Sequence, residues 1–448
     1  MKLAIGTTVL AAILTLSACG GSEPETAEAE LTVVPATQTT APVFSADWPQ
    51  PYVPHVTDAF TQEGIDALEA RMVQFVEDGD VQGIATLLVH DGQVISHVQA
   101  GIRREEDGAP IQEDTIYRIY SMTKPITGVA LMTLYEEGAF SLDDPIIKFI
   151  PEFENLQVWS EDGSLAPVSR PATMRELMSH TAGFAYGFHD GTLPDAELQA
   201  RDALNQPDMQ SFIDVVAGVP LVMEPGTNWY YSLSVDIQGA IIERISGVPF
   251  ETFLQTRIFD PLGMDETAFT VSEEDYDRFS DVFRVDADTG AQTAIKENWT
   301  AYRDDTVVFY SGGGGLVSTL DDYARFCQML LGEGSFGDVQ ILKPETIKLM
   351  ATNILTEEQA NTSGLILEDM LAGVGFGLDF AVIAGPPATE RFGLGSFYWA
   401  GAAGTWFWID PENDLFFVGM VQRFNGQAQT EFREISAAML QEALDDDL

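Results

Sequence analysis

The sequence of 448 residues has little positive charge. It contains 22 Lys and Arg residues against 70 Asp and Glu residues, which gives a formal net charge of -48 at pH 7. A surface this acidic repels nucleic acid and anionic membrane surfaces, so we expect neither as a partner. The acidic residues are spread along the whole chain, a distribution that favours a charged folded surface over a disordered acidic tail.

Histidine and cysteine are also scarce. The five His residues form no H-x-x-x-H pair, and there is no C-x-x-C motif, so we expect no metal site and no other cofactor. The two cysteines are Cys19 and Cys327. Cys327 lies in a helical pattern, which favours a buried structural thiol over a nucleophile. The G-x-S-x-G motif of the α/β-hydrolases is absent as well.

The chain begins with the features of an export signal. Lys2 is followed by a mostly apolar segment over residues 3–16 and then by Ser17-Ala18-Cys19. The apolar segment is shorter than the ~20 residues that a membrane-spanning helix needs. A basic start, a short apolar segment and small residues before a cleavage site are typical of a signal peptide, which we predict over residues 1–18.

Leu16-Ser17-Ala18-Cys19 resembles the bacterial lipoprotein signal, in which cleavage leaves the cysteine as a lipidated first residue. An ordinary signal peptide that contains a cysteine is the alternative. Gly20 stands where an Asp would signal retention in the inner membrane, so the resemblance implies a lipid anchor on Cys19, in the outer membrane and on the periplasmic side. Residues 19–50 are rich in small and polar residues and in proline, a composition that predicts a flexible tether.

Apolar periodicity predicts the elements of the folded part, residues 51–448. Ile65, Leu68, Met72 and Phe75 have the spacing of an amphipathic helix. Alternating and continuous apolar runs predict strands over 83–89, 94–98, 404–409 and 415–421, the first two joined by an Asp-Gly turn, and a last helix over 430–444. We predict an α/β part from residues 51–150 and 305–448, with a helical part over 151–304.

The residues that could carry chemistry are centred on Ser121-Met122-Thr123-Lys124. Three positions along a helix place two side chains on one face, about 5–6 Å apart at their Cβ atoms. A serine is a poor nucleophile without a neighbouring base, and a buried lysine can serve as one. Backbone N–H groups at a helix N-terminus can also stabilise an oxyanion. An S-x-x-K pair alone is weak, because a helix cap and an exposed lysine give the same letters.

The residues around Ser121 and Lys124 strengthen the interpretation of this pair as catalytic. Residues 117–127 resemble the active-site helix of class C beta-lactamases, DD-peptidases and family VIII carboxylesterases. Further segments resemble the family's later motifs in the same order: 142–145, 177–184 (His-Thr-Ser-Gly), 225–233 (Tyr-x-Asn), the Gly-rich 311–319, and 399–404 (Lys-Thr-Gly). The resemblance covers residues 55–445. It implies a beta-lactamase/transpeptidase-like fold, an antiparallel sheet flanked by helices with a helical insertion domain.

The resemblance also implies roles for single residues. Ser121 would be acylated, and Lys124 would be the base or would hold the base. Tyr231 is the second candidate for the base, provided that Lys124 stabilises its anion; a packing tyrosine is the alternative. Backbone N–H groups of Ser121 and Ala402 would form the oxyanion hole. His180, in the His-Thr-x-Gly segment, is interpreted as structural.

Two departures from the family pattern bear on the substrate. Leu233 replaces the Asn of Tyr-x-Asn, and Trp399 replaces the Lys of Lys-Thr-Gly. We therefore predict substrate contacts from Leu233 and from Trp399, Ala400 and Gly401. Tyr231-Ser232-Leu233 followed by Asp236, together with the Trp-x-Gly of residues 399–401, looks most like the family VIII esterases.

We accordingly predict a carboxylesterase that acts on short-chain esters. A beta-lactamase or D-alanyl-D-alanine carboxypeptidase is the alternative. A catalytically inactive lipoprotein that binds peptidoglycan or another ligand is the alternative from a different class. The expected partner of the enzyme is a small ester or beta-lactam-like molecule, and the expected contact with a membrane is through the N-terminal lipid only. The sequence indicates no oligomeric state.

Replacing Cys19 tests the predicted anchor. Cys19→Ser should move the protein from the membrane fraction to the soluble periplasm or the medium, because the acyl chains on this cysteine would supply the membrane affinity. Mass spectrometry of the mature wild-type N-terminus is the direct measurement. An unmodified N-terminus that begins beyond Cys19 would contradict the prediction.

Overall fold

The computed structural model describes residues 44–52, 59–189, 191–286, 289–295, 302–303, 307–361, 373–386, 388, 392–424 and 428–444. The predicted signal peptide, Cys19 and most of the predicted tether lie outside these residues. Within the described ranges, no helix has both the length and the apolar composition that crossing a membrane would require.

Sixteen strands are formed by the residues that the structure describes: β1 (Gly83–His90), β2 (Gln93–Gly101), β3 (Tyr117–Arg118), β4 (Gln157–Trp159), β5 (Leu165–Pro167), β6 (Phe283–Val285), β7 (Gln292–Ala294), β8 (Val317–Ser318), β9 (Ser335–Phe336), β10 (Val339–Gln340), β11 (Val374–Phe376), β12 (Ala381–Ile383), β13 (Phe397–Ala400), β14 (Trp406–Asp410), β15 (Leu415–Val421) and β16 (Arg423–Phe424).

The same described residues form twelve α-helices: α1 (Gln62–Glu77), α2 (Thr123–Glu136), α3 (Met174–Met178), α4 (Leu193–Ala200), α5 (Met209–Ala217), α6 (Ser234–Ser246), α7 (Phe250–Leu254), α8 (Asp260–Leu262), α9 (Leu320–Leu331), α10 (Pro344–Met350), α11 (Glu357–Asn361) and α12 (Ala428–Ala443).

The main sheet joins strands from the two ends of the described chain. Its order is β11-β12-β13-β14-β15-β1-β2, and every neighbouring pair is antiparallel. All seven residues of β15 are buried, so both faces of the sheet are covered at its centre. Helices α1 and α12 pack against each other beside the sheet, and α9 packs on β14, β15 and β1. This agrees with the predicted antiparallel sheet flanked by helices.

Local sequence signals explain several of these elements. Helix α1 begins after Thr61, whose side chain accepts a hydrogen bond from the Gly64 N–H, and it buries Ile65, Leu68, Met72 and Phe75, the face that the periodicity predicts. Between β1 and β2, Asp91 and Gly92 both have positive φ angles, of 49° and 68°. Two such residues give a turn whose twist matches a hairpin, and Asp-Gly is a favoured pair for it.

Helix α2 packs on helices from the middle of the chain, and the 3-10 turn that precedes it packs on β13 of the main sheet. The helix packs against α6 and α7, and all of its residues from Thr123 to Leu134 are buried. The short ladder of β3 and β8 pairs Tyr117 with Ser318 and so brings the Gly-rich segment beside the start of α2. Cys327 is buried in α9 and has a free thiol, and burial raises the pKa of that thiol well above its ordinary value.

The packed part of the chain begins before residue 51, where the sequence analysis placed its start. Trp48 is buried, with its ring 5.6 Å from that of Phe336 and 6.4 Å from that of Phe416 of β15. The Trp48 Nε1–H donates to the Gly92 carbonyl. The predicted tether over residues 19–50 is therefore too long, because burial of the Trp48 ring outweighs the polar composition around it.

Candidate active site

Ser121 lies in the short connection between β3 and α2. Tyr120 has a φ angle of 43°, in the left-handed region that a bulky residue rarely occupies. A single 3-10 turn over Tyr120–Met122 leads directly into α2. Ser121 thus stands at the start of a helix, as predicted, but the left-handed Tyr120 before it was not predicted.

The side chain of Lys124 reaches Ser121 across one turn of this helix. Its Nζ lies 3.2 Å from the Ser121 Oγ. Lys124 is 1% exposed, and its Nζ also donates to the Gly313 carbonyl at 2.6 Å and to the Tyr186 hydroxyl at 2.9 Å. A buried ammonium group requires such oxygen partners, because burial removes its water.

The hydroxyl of Tyr231 approaches Ser121 from the segment that precedes α6. The Tyr231 OH lies 2.7 Å from the Ser121 Oγ. The Lys124 Nζ lies 4.7 Å from the centre of the Tyr231 ring. The structure therefore brings together the three side chains for which the sequence predicted catalytic roles.

His180 holds the backbone around Tyr231. Its carbonyl accepts from the Tyr230 N–H at 2.9 Å, and its Nδ1 accepts from the Ser232 N–H at 3.2 Å. Burial, together with the Lys124 charge, lowers the pKa of His180 well below its ordinary value, so the ring is neutral near pH 7. These contacts agree with the structural interpretation of His180.

The turn between β13 and β14 lies against the chain just before Ser121. The Gly401 N–H donates to the Thr405 carbonyl at 2.7 Å, and the Thr405 Oγ1 donates to the Ile119 carbonyl at 3.3 Å. A Cβ on Gly401 would lie 2.4 Å from the Ile119 carbonyl oxygen, so the close approach requires glycine. Ala402 follows in this turn, and the oxyanion role of its N–H stays a prediction.

Trp399 and Ala400 end β13 beside the site. Trp399 is 6% exposed, and its ring centre lies 5.5 Å from that of Tyr231. Ala400 is half-buried and pairs with Trp406 of β14. An aromatic side chain thus stands next to the candidate base, at the position where the family motif has a lysine.

The prediction that Leu233 contacts the substrate is wrong for this structure. Leu233 has no exposed surface and packs in the hydrophobic core at the start of α6. Alignment with the Tyr-x-Asn motif gave the residue type at this position. It could not show that the position is covered by the rest of the protein.

Tyr186 is a member of the site that the sequence analysis missed. Burial raises the pKa of its hydroxyl well above the ordinary value, and the charges of Tyr231 and Asp236 act in the same direction. Its ring stacks on that of Phe188, with centres 4.2 Å apart, and Phe188 is 65% exposed. The available signal was the aromatic sequence Phe184-Ala185-Tyr186-Gly187-Phe188, which follows the His-Thr-x-Gly segment.

The Gly-rich segment also contributes to the site. The Gly313 carbonyl is one of the three partners of Lys124 Nζ. The Thr127 Oγ1 of α2 donates to the Gly312 carbonyl at 2.9 Å. The segment therefore fixes both the lysine and the helix that carries it.

The arrangement can perform nucleophilic acyl transfer. It combines a half-buried hydroxyl, a phenol at 2.7 Å that can exchange a proton with it, and a cation at 3.2 Å. In the ranges that the structure describes, no group of three or more His, Cys, Asp or Glu side chains could hold a metal ion.

Comparison with known proteins agrees with this chemistry. The Beta-lactamase family model matches residues 68–439. Protein Rv1367c of Mycobacterium tuberculosis is 34% identical over 367 residues, 80% of this chain and 90% of that protein. Esterase EstB of Burkholderia gladioli is 28% identical over 359 residues, 76% of this chain and 86% of that protein.

A solved structure is similar over most of the chain. It is described as EstCE1, a hydrolase with promiscuous acyltransferase activity, and the similarity has a TM-score of 0.70 at 23% identity. It covers 84% of this chain and 99% of that chain. The predicted beta-lactamase/transpeptidase-like fold is thereby confirmed.

Removing the hydroxyl group of Tyr186 tests its contact with Lys124. Tyr186→Phe should lower kcat by about one to two powers of ten, because a hydrogen bond to a buried cation contributes about 1.5–3 kcal/mol. Steady-state kinetics on p-nitrophenyl butyrate measures the effect. The control is Tyr398→Phe, which changes the residue before Trp399 in β13 and should keep wild-type turnover. A folded Tyr186→Phe protein with wild-type kcat would contradict the prediction.

Proposed function

Since this chain belongs to the beta-lactamase family and is a serine hydrolase, we propose that it is a carboxylesterase in which Ser121 is acylated by short-chain esters. The observation that carries the proposal is the convergence of two side chains, those of Tyr231 and Lys124, on the Ser121 hydroxyl. The Ser121 Oγ lies 2.7 Å from the Tyr231 OH and 3.2 Å from the Lys124 Nζ. Its position at a helix N-terminus adds backbone N–H groups.

The proposed reaction has two steps on the same serine. The Ser121 Oγ attacks the ester carbonyl carbon as its proton passes to the base, and the C–O bond to the alcohol then breaks as the alcohol takes up that proton. In the second step water attacks the carbonyl carbon of the acyl-enzyme as one of its protons passes to the base. The Oγ–carbon bond then breaks, Ser121 regains that proton, and the acid leaves. Backbone N–H groups of Ser121 and Ala402 are proposed to stabilise the negative oxygen in both steps.

The side chains around Ser121 support an ester over a beta-lactam. Beta-lactams and D-alanyl peptides carry a carboxylate near the reacting bond, and a lysine of the Lys-Thr-Gly motif would attract it. Here the position holds Trp399, and the net charge of -48 adds long-range repulsion of anions. The name of EstB records esterase activity for a relative.

We also propose, from the sequence of residues 1–50 alone, that the enzyme is exported and anchored in the outer membrane by lipid on Cys19. A short apolar segment before Leu16-Ser17-Ala18-Cys19 supports this proposal. The anchor would leave the catalytic part on the periplasmic side, where small esters are the expected partners.

Substitution of Ser121 tests the nucleophile. Ser121→Ala should abolish covalent labelling by a fluorophosphonate, and Lys124→Ala and Tyr231→Phe should each lower turnover by about two to four powers of ten. Ser160→Ala, which changes an exposed serine, is the control and should be labelled like the wild type.

Two results would count against the assignment. Retention of most esterase activity by Ser121→Ala would refute Ser121 as the nucleophile. A wild-type protein that the probe does not label would favour the inactive, ligand-binding alternative.

Substrate choice separates the esterase from the lactamase. Wild-type protein should turn over p-nitrophenyl butyrate much faster than nitrocefin, because losing a charge-assisted hydrogen bond to the carboxylate costs about 1.5–3 kcal/mol, or about one to two powers of ten in affinity. Trp399→Lys should gain relative activity on nitrocefin, whereas the uncharged control Trp399→Phe should not. A wild-type kcat/KM for nitrocefin equal to that for the butyrate would favour the beta-lactamase alternative.

A further inference from the structure

Asp236 has a buried carboxyl group next to the active site. The reaction described above does not use this group. Asp236 lies in the first turn of α6 and has no exposed surface. Its Oδ1 accepts from the Gly313 N–H at 3.0 Å and from the Ser311 hydroxyl. Its Oδ2 has no hydrogen-bond partner among the described residues. A carboxyl group with one oxygen unpaired in the interior costs free energy, so its presence there needs a reason.

The turn that Asp236 binds is the turn that binds Lys124. The Gly313 carbonyl accepts from the Lys124 Nζ at 2.6 Å. A Cβ on Gly313 would lie 2.4 Å from the Asp236 Oδ2 and 3.1 Å from the Tyr186 hydroxyl oxygen. The Asp236 carboxyl group and the Tyr186 hydroxyl therefore both lie close to Gly313. The hydrogen bonds of Asp236 therefore hold in place the turn whose Gly313 carbonyl accepts from Lys124.

The contacts of Lys124 match those of an ammonium group. Its Nζ faces three oxygen atoms, those of Ser121, Tyr186 and Gly313. An ammonium group can donate one hydrogen to each of them. A buried ammonium also needs a negative charge nearby.

The other ionisable groups around the lysine are few. His180 is neutral, for the reason given above, and Tyr186 and Tyr231 are phenols in contact with the site. Asp379 packs against α2 at Gly128 and accepts from the Gln238 side chain at 2.9 Å. Burial raises the pKa of both Asp236 and Asp379, and the Lys124 charge opposes the increase in each. Asp236 is the acid that also binds the Gly313 turn.

We propose that Asp236 is a positioning residue for the acylation of Ser121. Its carboxylate holds the Ser311–Gly313 turn, whose Gly313 carbonyl accepts from Lys124, and it adds a negative charge to the buried surroundings of that lysine. Tyr231 is the proposed base: it takes the Ser121 proton as the Oγ–carbon bond forms, and it returns that proton to the leaving alcohol. The inference rests on the proposed function, in which Ser121 is the acylated residue.

Removal of the Asp236 charge should displace the pH profile of kcat/KM in one direction. A nearby negative charge disfavours the release of a proton, so its removal lets nearby groups release protons at lower pH. The acidic and the basic limb of the kcat/KM profile should both move to lower pH. Loss of packing alone would lower the rate without moving the limbs.

The test uses the full-length protein with Asp236→Asn, which keeps the size of the side chain and a carbonyl oxygen for the Gly313 N–H. The readouts are the rate of inactivation by a fluorophosphonate and kcat/KM for p-nitrophenyl butyrate, both as functions of pH. We expect both limbs to move down by about one pH unit and kcat to fall by about one to two powers of ten, with KM unchanged.

The matched control is Asp410→Asn. Asp410 is also buried, but it lies at the end of β14 away from Ala400 and accepts from Glu412 and Asn413 of its own turn. This variant should keep the wild-type pH profile. A folded Asp236→Asn protein with the wild-type profile would overturn the inference and leave the proposed function intact.

A second variant covers the case in which Asp236→Asn does not fold. Ser311→Ala removes one of the two donors that hold the Asp236 carboxylate and keeps its charge, so kcat should fall several-fold at unchanged KM, without displacement of the limbs. An unchanged kcat would overturn the inference. Failure of the wild-type protein to react with the fluorophosphonate would instead refute acylation of Ser121, and the inference with it.

Discussion

The burial of one cation, the Lys124 ammonium group, is the constraint on which the arrangement of the site depends. The group has lost its water, so the protein must supply oxygen atoms for it, and these come from three separate segments: Ser121, Tyr186 and the Gly313 carbonyl. Each of these contacts serves two purposes. It lowers the free energy of the buried charge, and it orients a part of the reaction machinery.

Close packing around α2 turns that constraint into a defined geometry. Two close contacts between segments that are distant in sequence are possible because one partner is glycine. Gly401 lies against the Ile119 carbonyl, just before α2, and Gly313 lies against the Asp236 carboxyl group. Any side chain at these positions would push the segments apart. The hydroxyl, the phenol and the cation are thus held by backbone that has little freedom to relax, which is the condition for preorganised catalysis.

The sequence predicted what depends on local spacing and missed what depends on contact between distant segments. Helix α1, the β1–β2 hairpin and β15 follow from periodicity and turn chemistry, and Ser121 and Lys124 follow from their spacing on one helix face. The aromatic run around Tyr186 and the Gly-rich segment around Gly313 are visible in the sequence, but their contacts with Lys124 are not, and no local pattern marks the left-handed Tyr120. Leu233 was predicted to contact the substrate because it aligns with the Asn of the Tyr-x-Asn motif. A motif shows which residue type stands at a position but not whether that residue is buried.

The pairing of β1 with β15 has a consequence for how the molecule is made. Ile84 pairs with Val421, so the centre of the sheet joins chain segments from opposite ends of the sequence. A ribosome that has synthesised α2 has yet to produce β13, β14 and β15. The nascent chain therefore carries Ser121 for most of its synthesis without the strands that would enclose it, and such long-range pairing forms slowly even afterwards. The centre of the sheet, and with it the wall of the active site that β13 forms, can therefore be completed only after the last strands have been synthesised.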